Sequence, residues 1–281
     1  MKISKILSIL LAGYILFSFT MTLHQNQNNF FSFNYWQNFP DLKKAFYASQ
    51  YKTKNFSGFM PDEVAYSYTG GALIKGENPV FNIPEAPPLG KYLIGLSAIL
   101  FNNPNIFIVL VSGIAGLVMF YLLSRQILGP SFLSLVPVAI WITEPLYRNQ
   151  YAFVPLFDLA QFCFLVTAFY FFNKGLAGKS LRFFAFACLF VGFFISTKFY
   201  SSGAPVLASF FIVLILNKYW KKLFELLKVI WIPVVVLLAT YLRVFAFGAT
   251  FREFSGNSEM DFLVLARSVD SSIHCMGFTP V

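Results

Sequence analysis

The chain has 281 residues, 57% of them hydrophobic and 12% charged, with mean hydropathy +0.66 and formal net charge +9. A water-soluble domain carries about 25% charged residues, so this chain lacks the polar surface to cover itself in water. The positive charge does not imply nucleic acid, because Lys and Arg fall at span ends and in loops rather than in a stripe interleaved with exposed aromatics.

The first apolar run, Ile6 to Leu23, follows Lys2 and Lys5. The polar stretch His24 to Asn29 comes next rather than a small-residue cleavage site, so the run reads as a retained anchor. Residues 24–105 then form one long loop with short amphipathic helices. Its aromatics Tyr35, Trp36, Phe46, Tyr47 and Tyr51 are expected at the lipid headgroups. Met60-Pro61-Asp62-Glu63 leads into a helix over Val64 to Leu73, with the two acids at its cap and first turn. Gly76-Glu77-Asn78-Pro79 and the stiff element Glu85-Ala86-Pro87-Pro88-Leu89-Gly90-Lys91-Tyr92 follow.

Lys91 to Phe101 is apolar but too short to cross a bilayer, which needs about 20 residues. Asn102-Asn103-Pro104-Asn105 stops it, so it reads as a half-embedded helix at the outer interface. A single long kinked helix running into the next span is the alternative. Further spans are expected at Ile106 to Leu123, Phe132 to Leu146, Ala152 to Phe172, Phe183 to Phe199, Gly203 to Leu216 and Val229 to Phe247. The fold class is therefore an all-α polytopic membrane helix bundle of about seven spans. Residues 1–281 read as a single membrane domain: 1–23 the first span, 24–105 the outer loop, 106–247 six further spans, and 248–281 the start of a second outer loop.

Basic residues orient the bundle. With Lys2 and Lys5 inside, Arg125, then Lys174, Lys179 and Arg182, then Lys218, Lys221, Lys222 and Lys228 also lie inside, in short connections where Glu225 is the one acid. The expected localisation is multi-pass in the plasma membrane, N-terminus cytoplasmic, with the 24–105 loop outside. In that frame Asp62, Glu63, Glu144, Arg148, Asp158, Lys198 and Arg243 all crowd toward the outer face, Asp158 about two turns into its span. A charge in hydrocarbon costs roughly 2.5 to 3.5 kcal/mol even on the lenient insertion scale, so such a cluster implies a water-filled cavity opening outward.

Each of these residues also has a structural reading. Arg148 and Lys198 can snorkel to headgroups, Asp158 can pair with Arg148 to hold helices together, and Glu144 can be a solvated span end. Cys163, Cys188 and Cys275 have no ligand spacing. No metal cage is evident and no cofactor is expected, although a divalent ion between Asp62 and Glu63 stays open. Gly70-Gly71 and Gly76 form no phosphate loop, since no strand precedes them and no Lys-Ser/Thr follows.

An N-terminal span, a long outer loop with Asp62-Glu63 before a short helix, then Gly-Glu-Asn-Pro and Pro-Pro-Leu-Gly-Lys-Tyr-Leu together resemble the GT-C-type membrane glycosyltransferases, closest to the protein O-mannosyltransferase and aminoarabinose-transferase-like branch. Gly192-Phe193-Phe194-Ile195-Ser196-Thr197-Lys198-Phe199 is similar to the end of that family's fifth span, and Phe247-Gly248-Ala249-Thr250-Phe251-Arg252-Glu253-Phe254 to the start of its second outer loop. The resemblance implies a polyprenyl-phosphate sugar donor, membrane lipids around it, and a protein or lipid hydroxyl as acceptor. It implies Asp62 as the catalytic carboxylate with Glu63 beside it, and Lys91, Arg148, Asp158, Lys198 and Arg243 as substrate-binding residues. Only the N-terminal portion of the family is covered, so a truncated or split product, or a partner chain supplying C-terminal spans, is expected. The rival readings are a non-catalytic membrane protein that handles or transports lipid, and an inactive assembly subunit.

Overall fold

A computed structural model describes residues 2–32, 34–53, 56, 59–77, 82–84, 86–178 and 180–246. The tail 248–281, with Cys275, the Phe247 to Phe254 motif, Lys179 and part of the Gly-Glu-Asn-Pro element lie outside the described residues. The described chain is helical, without strands. In order run α1 (Lys2–Gln25), α2 (Asn28–Phe31), α3 (Tyr35–Tyr47), α4 (Asp62–Ile74), α5 (Pro88–Phe101), α6 (Ser112–Leu128), α7 (Val136–Thr143), α8 (Pro145–Ala152), α9 (Asp158–Ala177), α10 (Leu181–Thr197), α11 (Gly203–Leu216), α12 (Trp220–Leu227), α13 (Ile232–Thr240) and α14 (Leu242–Ala246). A π-helical turn over Ile106–Val111 leads into α6. Among the described residues four stretches are long and apolar enough to cross a membrane: Ile3–Gln25, Ile106–Leu128, Asp158–Ala177 and Trp220–Thr240. Pro88–Phe101, Phe132–Thr143, Leu181–Thr197 and Tyr200–Leu216 are apolar but shorter. This is a membrane protein.

Among apolar helices in lipid the hydrophobic effect gives little drive to associate, so close packing carries the bundle and small residues mark the crossings. Gly116 brings α6 onto Phe162 of α9, Gly175 brings α9 onto the ring of Phe184 on α10, and Gly192 brings α10 onto Val236 of α13. Phe172 of α9 and Phe210 of α11 stack at 4.0 Å with planes 5° apart. One end of this bundle is basic. There Asn173 donates to Gln126 at 3.0 Å, and the Lys222 ammonium closes the last turn of α9 by donating to the carbonyls of Gly175 (3.1 Å), Leu176 and Gly178 (3.3 Å).

At the other end α3, α4 and α5 form a compact aromatic layer. Tyr35 and Phe46, expected at headgroups, are fully buried in it. The Tyr35 hydroxyl donates to the Ser67 carbonyl at 2.6 Å, and Phe46 stacks on Tyr68 at 4.5 Å. Amphipathic spacing in α3 turns these rings toward α4, while Tyr47 stays exposed. Gly70 and Gly95 let α4 and α5 touch at the backbone: Gly95 faces the Gly70 carbonyl, and Gly71 faces Tyr35 and Phe39.

The asparagine run ends α5 and separates it from the next helix, so the single kinked helix does not form. Asn102 adopts the left-handed conformation (φ 51°), which asparagine tolerates better than most residues. Its carbonyl and side-chain oxygen accept from the backbone N–H groups of Tyr35 (2.9 Å) and Trp36 (3.0 Å). Asn103 and Asn105 donate to the Asn29 carbonyl at 3.0 and 2.7 Å. The same four residues thus stop one helix and dock two others.

Candidate active site

Asp62 and Glu63 sit in the first turn of α4. Pro61, extended at φ −69° and ψ 153°, precedes them, and its carbonyl accepts from Val64 (3.1 Å) and Ala65 (3.2 Å). Carboxylates suit this position because the N–H groups of a first turn carry partial positive charge. Asp62 is exposed, and the Tyr51 hydroxyl donates to its Oδ1 at 2.9 Å.

One turn further along α4, about 5.4 Å of rise, Tyr66 is buried and stacks on Phe157 at 4.1 Å. Phe157 precedes α9, whose first residue is Asp158. The sequence suggested that Asp158 lies two turns inside a span beginning at Ala152. Instead α8 ends at Ala152, residues 153–157 around Pro155 are non-helical, and a new helix starts at Asp158. Proline has no N–H for a helix interior and disfavours helix in the residue before it. The break turns Asp158 toward α10 rather than toward Arg148.

Lys198, just past the end of α10, donates to Asp158 Oδ1 at 2.7 Å. The Lys198 side chain is 16% exposed and that of Asp158 39%, so the pair is open to water on the carboxylate side. An ammonium has three donors, and Asp158 takes one.

Gly90 of α5 locks the corner: a Cβ there would stand 2.7 Å from the Phe157 ring and 3.0 Å from the Thr197 carbonyl oxygen. Two residues on, burial raises the Tyr92 phenol above its ordinary range, and the guanidinium charge of Arg243 on α14 opposes that shift. The α4 turn bearing Tyr66, the starts of α5 and α9 and the end of α10 therefore meet at the end of the bundle opposite the basic one.

Two predicted binding residues have other surroundings. Lys91 is 1% exposed, and its ammonium donates to the carbonyls of Asn82 (2.8 Å) and Ile83 (2.5 Å). Asn82 in turn donates to Glu77 at 2.8 Å, and Glu77 also accepts from Tyr68 (2.9 Å) and Lys43 (3.4 Å). Glu77 and Lys91 thus hold Asn82 and Ile83 in the loop between α4 and α5 from both sides. Arg148 is exposed on α8, beside the buried Tyr147–Tyr151 pair, and makes no ion pair among the described residues. Glu144 is exposed at the start of α8.

Residue-by-residue reading missed Gln50, Tyr66 and Phe157, and took Tyr51 for a headgroup aromatic. The available signals were slight: Tyr66 follows Asp62 by one helical turn, and Phe157 directly precedes Asp158. Among the described residues no three His, Cys, Asp or Glu side chains cluster as a metal site.

A family model described as dolichyl-phosphate-mannose-protein mannosyltransferase matches residues 85–246. The chain belongs to that family. It is therefore a GT-C-type glycosyltransferase of the mannosyltransferase kind. The matched stretch includes Lys91, Arg148, Asp158, Lys198 and Arg243, and begins beyond Asp62 and Glu63. No curated protein and no solved structure matches the mannosyltransferase chain.

Proposed function

We propose that the enzyme moves mannose from a polyprenyl-phosphate donor to a hydroxyl group of a protein, on the outer face of the plasma membrane, with Asp62 as general base. The observation that carries this reading is the Tyr66–Phe157 stack. It links the turn bearing Asp62 to the Asp158–Lys198 pair at one end of the bundle. A base and a cation held by the same packed corner are what glycosyl transfer from a phosphate requires.

The acceptor oxygen attacks the anomeric carbon while the bond from that carbon to the phosphate oxygen breaks. The bonding pair leaves with the polyprenyl phosphate, and the acceptor proton passes to the Asp62 carboxylate. Lys198, with donors beyond the one given to Asp158, and Arg243 stabilise the departing phosphate charge. Asp158 holds the Lys198 ammonium in place, and Glu63 lies beside the base. The prenyl chain lies among the apolar helix faces. The protein acceptor follows the family's description, and the outer face follows the basic connections at the opposite end.

The test uses membranes containing the full chain, polyprenyl-phosphate mannose labelled in the sugar, and an Asp62→Asn variant. Transfer is expected to fall by at least about 10²-fold at unchanged protein abundance. Label should appear in protein rather than in extractable lipid, and a cysteine replacing Lys43 should react with an impermeant maleimide added to intact cells. Retained transfer in Asp62→Asn removes Asp62 as the base. Label confined to lipid overturns the protein acceptor, and a Lys43 site reactive only from inside overturns the face.

A further inference from the structure

The residues that aim Asp62 come from a turn well before it in the chain. After α3 ends, Ala48 to Thr53 fold into a self-bonded turn: Ser49 Oγ donates to the Phe46 carbonyl at 2.6 Å, and the N–H groups of Lys52 and Thr53 donate to the Ser49 carbonyl at 3.0 Å each. From this turn Gln50 grips the Met60 backbone on both sides, its Nε2 donating to the carbonyl and its Oε1 accepting from the N–H, each at 2.8 Å. The next residue, Tyr51, reaches past Met60 and donates to Asp62 Oδ1 at 2.9 Å.

The Tyr51 ring has little freedom. It lies over buried Phe46 at 5.7 Å with planes 9° apart. Phe46 stacks in turn on Tyr68, which belongs to the same helix that Asp62 begins. The turn is therefore fastened to α4 at two places about a turn and a half apart, with the backbone grip on Met60 beside them. A carboxylate at a helix start otherwise rotates about its own side-chain torsions, and a hydroxyl fixed on Oδ1 leaves one oxygen in a defined direction.

We propose that Tyr51, set by the Gln50 grip on Met60, is a positioning residue for the Asp62 carboxylate. This rests on Asp62 being the general base. The Tyr51 hydroxyl occupies Oδ1, so that Oδ2 takes the acceptor proton, and the base meets the acceptor in one orientation.

The full chain in membranes is assayed with polyprenyl-phosphate mannose and a threonine-containing peptide. Tyr51→Phe keeps the ring stack and removes the hydroxyl. It should lower kcat about ten-fold while leaving the donor KM within two-fold and thermal stability unchanged. Gln50→Leu should do the same. In an Asp62→Glu background, where the carboxylate has already moved by one methylene, Tyr51→Phe should have little further effect, since groups that act as a unit are not additive. Parental kcat in Tyr51→Phe, or a full ten-fold loss repeated in the Asp62→Glu background, overturns the proposal while Asp62 stands as the base. Activity retained in Asp62→Asn overturns both.

Discussion

Replacing Gly90 by Ala puts a methyl group into the narrowest point of the candidate site. Its carbon would stand 2.7 Å from two ring carbons of Phe157 and 3.0 Å from the Thr197 carbonyl oxygen, where ordinary contact begins at 3.4 Å. The ring must therefore give way by about 0.7 Å. Phe157 is fully buried and stacked on Tyr66, so the displacement passes to the start of α9 and to Asp158. Overpacking on this scale costs about 1–3 kcal/mol, offset by up to about 1 kcal/mol from the greater helix preference of Ala. The protein should fold with only modestly lowered thermal stability. Catalysis should suffer more, because a misplacement near 1 Å costs on the order of 10²-fold in rate. The expected kcat for mannosyl transfer in membranes is about 10- to 100-fold below the parent. Gly13→Ala in α1, where nothing lies within 4 Å of the new carbon, is the control. Parental kcat in Gly90→Ala would refute the idea that the α5, α9 and α10 ends form one catalytic corner.

Lys198→Gln should raise the donor KM about ten-fold or more, since one charge-assisted bond to phosphate is worth about 1.5–3 kcal/mol. Arg148→Gln, on an exposed face of α8, should change it less than two-fold; the reverse order would place the phosphate elsewhere. Lys91→Met leaves the Asn82 and Ile83 carbonyls without their donor, costing about 1–3 kcal/mol, and limited proteolysis between Glu77 and Pro87 should accelerate. Burial raises the phenols of Tyr35 and Tyr68 well above the ordinary range, the Glu77 carboxylate adding to the effect at Tyr68. Unfolded tyrosines ionise near pH 10 while these two keep their protons. The folded state then binds more protons, and stability falls above about pH 10 by up to about 1.4 kcal/mol per pH unit for each residue. Melting temperatures between pH 9 and 11 read this fall, and Tyr35→Phe should make it shallower.

Composition and local pattern alone made the chain a helical membrane protein and located its apolar segments, because the free energy of moving a helix into lipid is a sum over its own residues. They also singled out Asp62 and Glu63 at a helix start, since a proline before two acids marks a first turn without reference to anything distant. The order of the loop elements was enough to suggest the family. Partnerships were decided by tertiary structure. Whether Asp158 meets Arg148 or Lys198 depends on the rotation that the break at residues 153–157 imposes, which no spacing along the chain specifies. Lys91 was expected among the substrate-binding residues, but its ammonium is buried and donates to the Asn82 and Ile83 carbonyls. Tyr35 and Phe46 looked like interface aromatics, but α4 offers them glycines and rings to pack against. A side chain's identity limits what it can bind, while the path of the backbone determines which groups come within hydrogen-bond reach, and that reach is only about 3 Å.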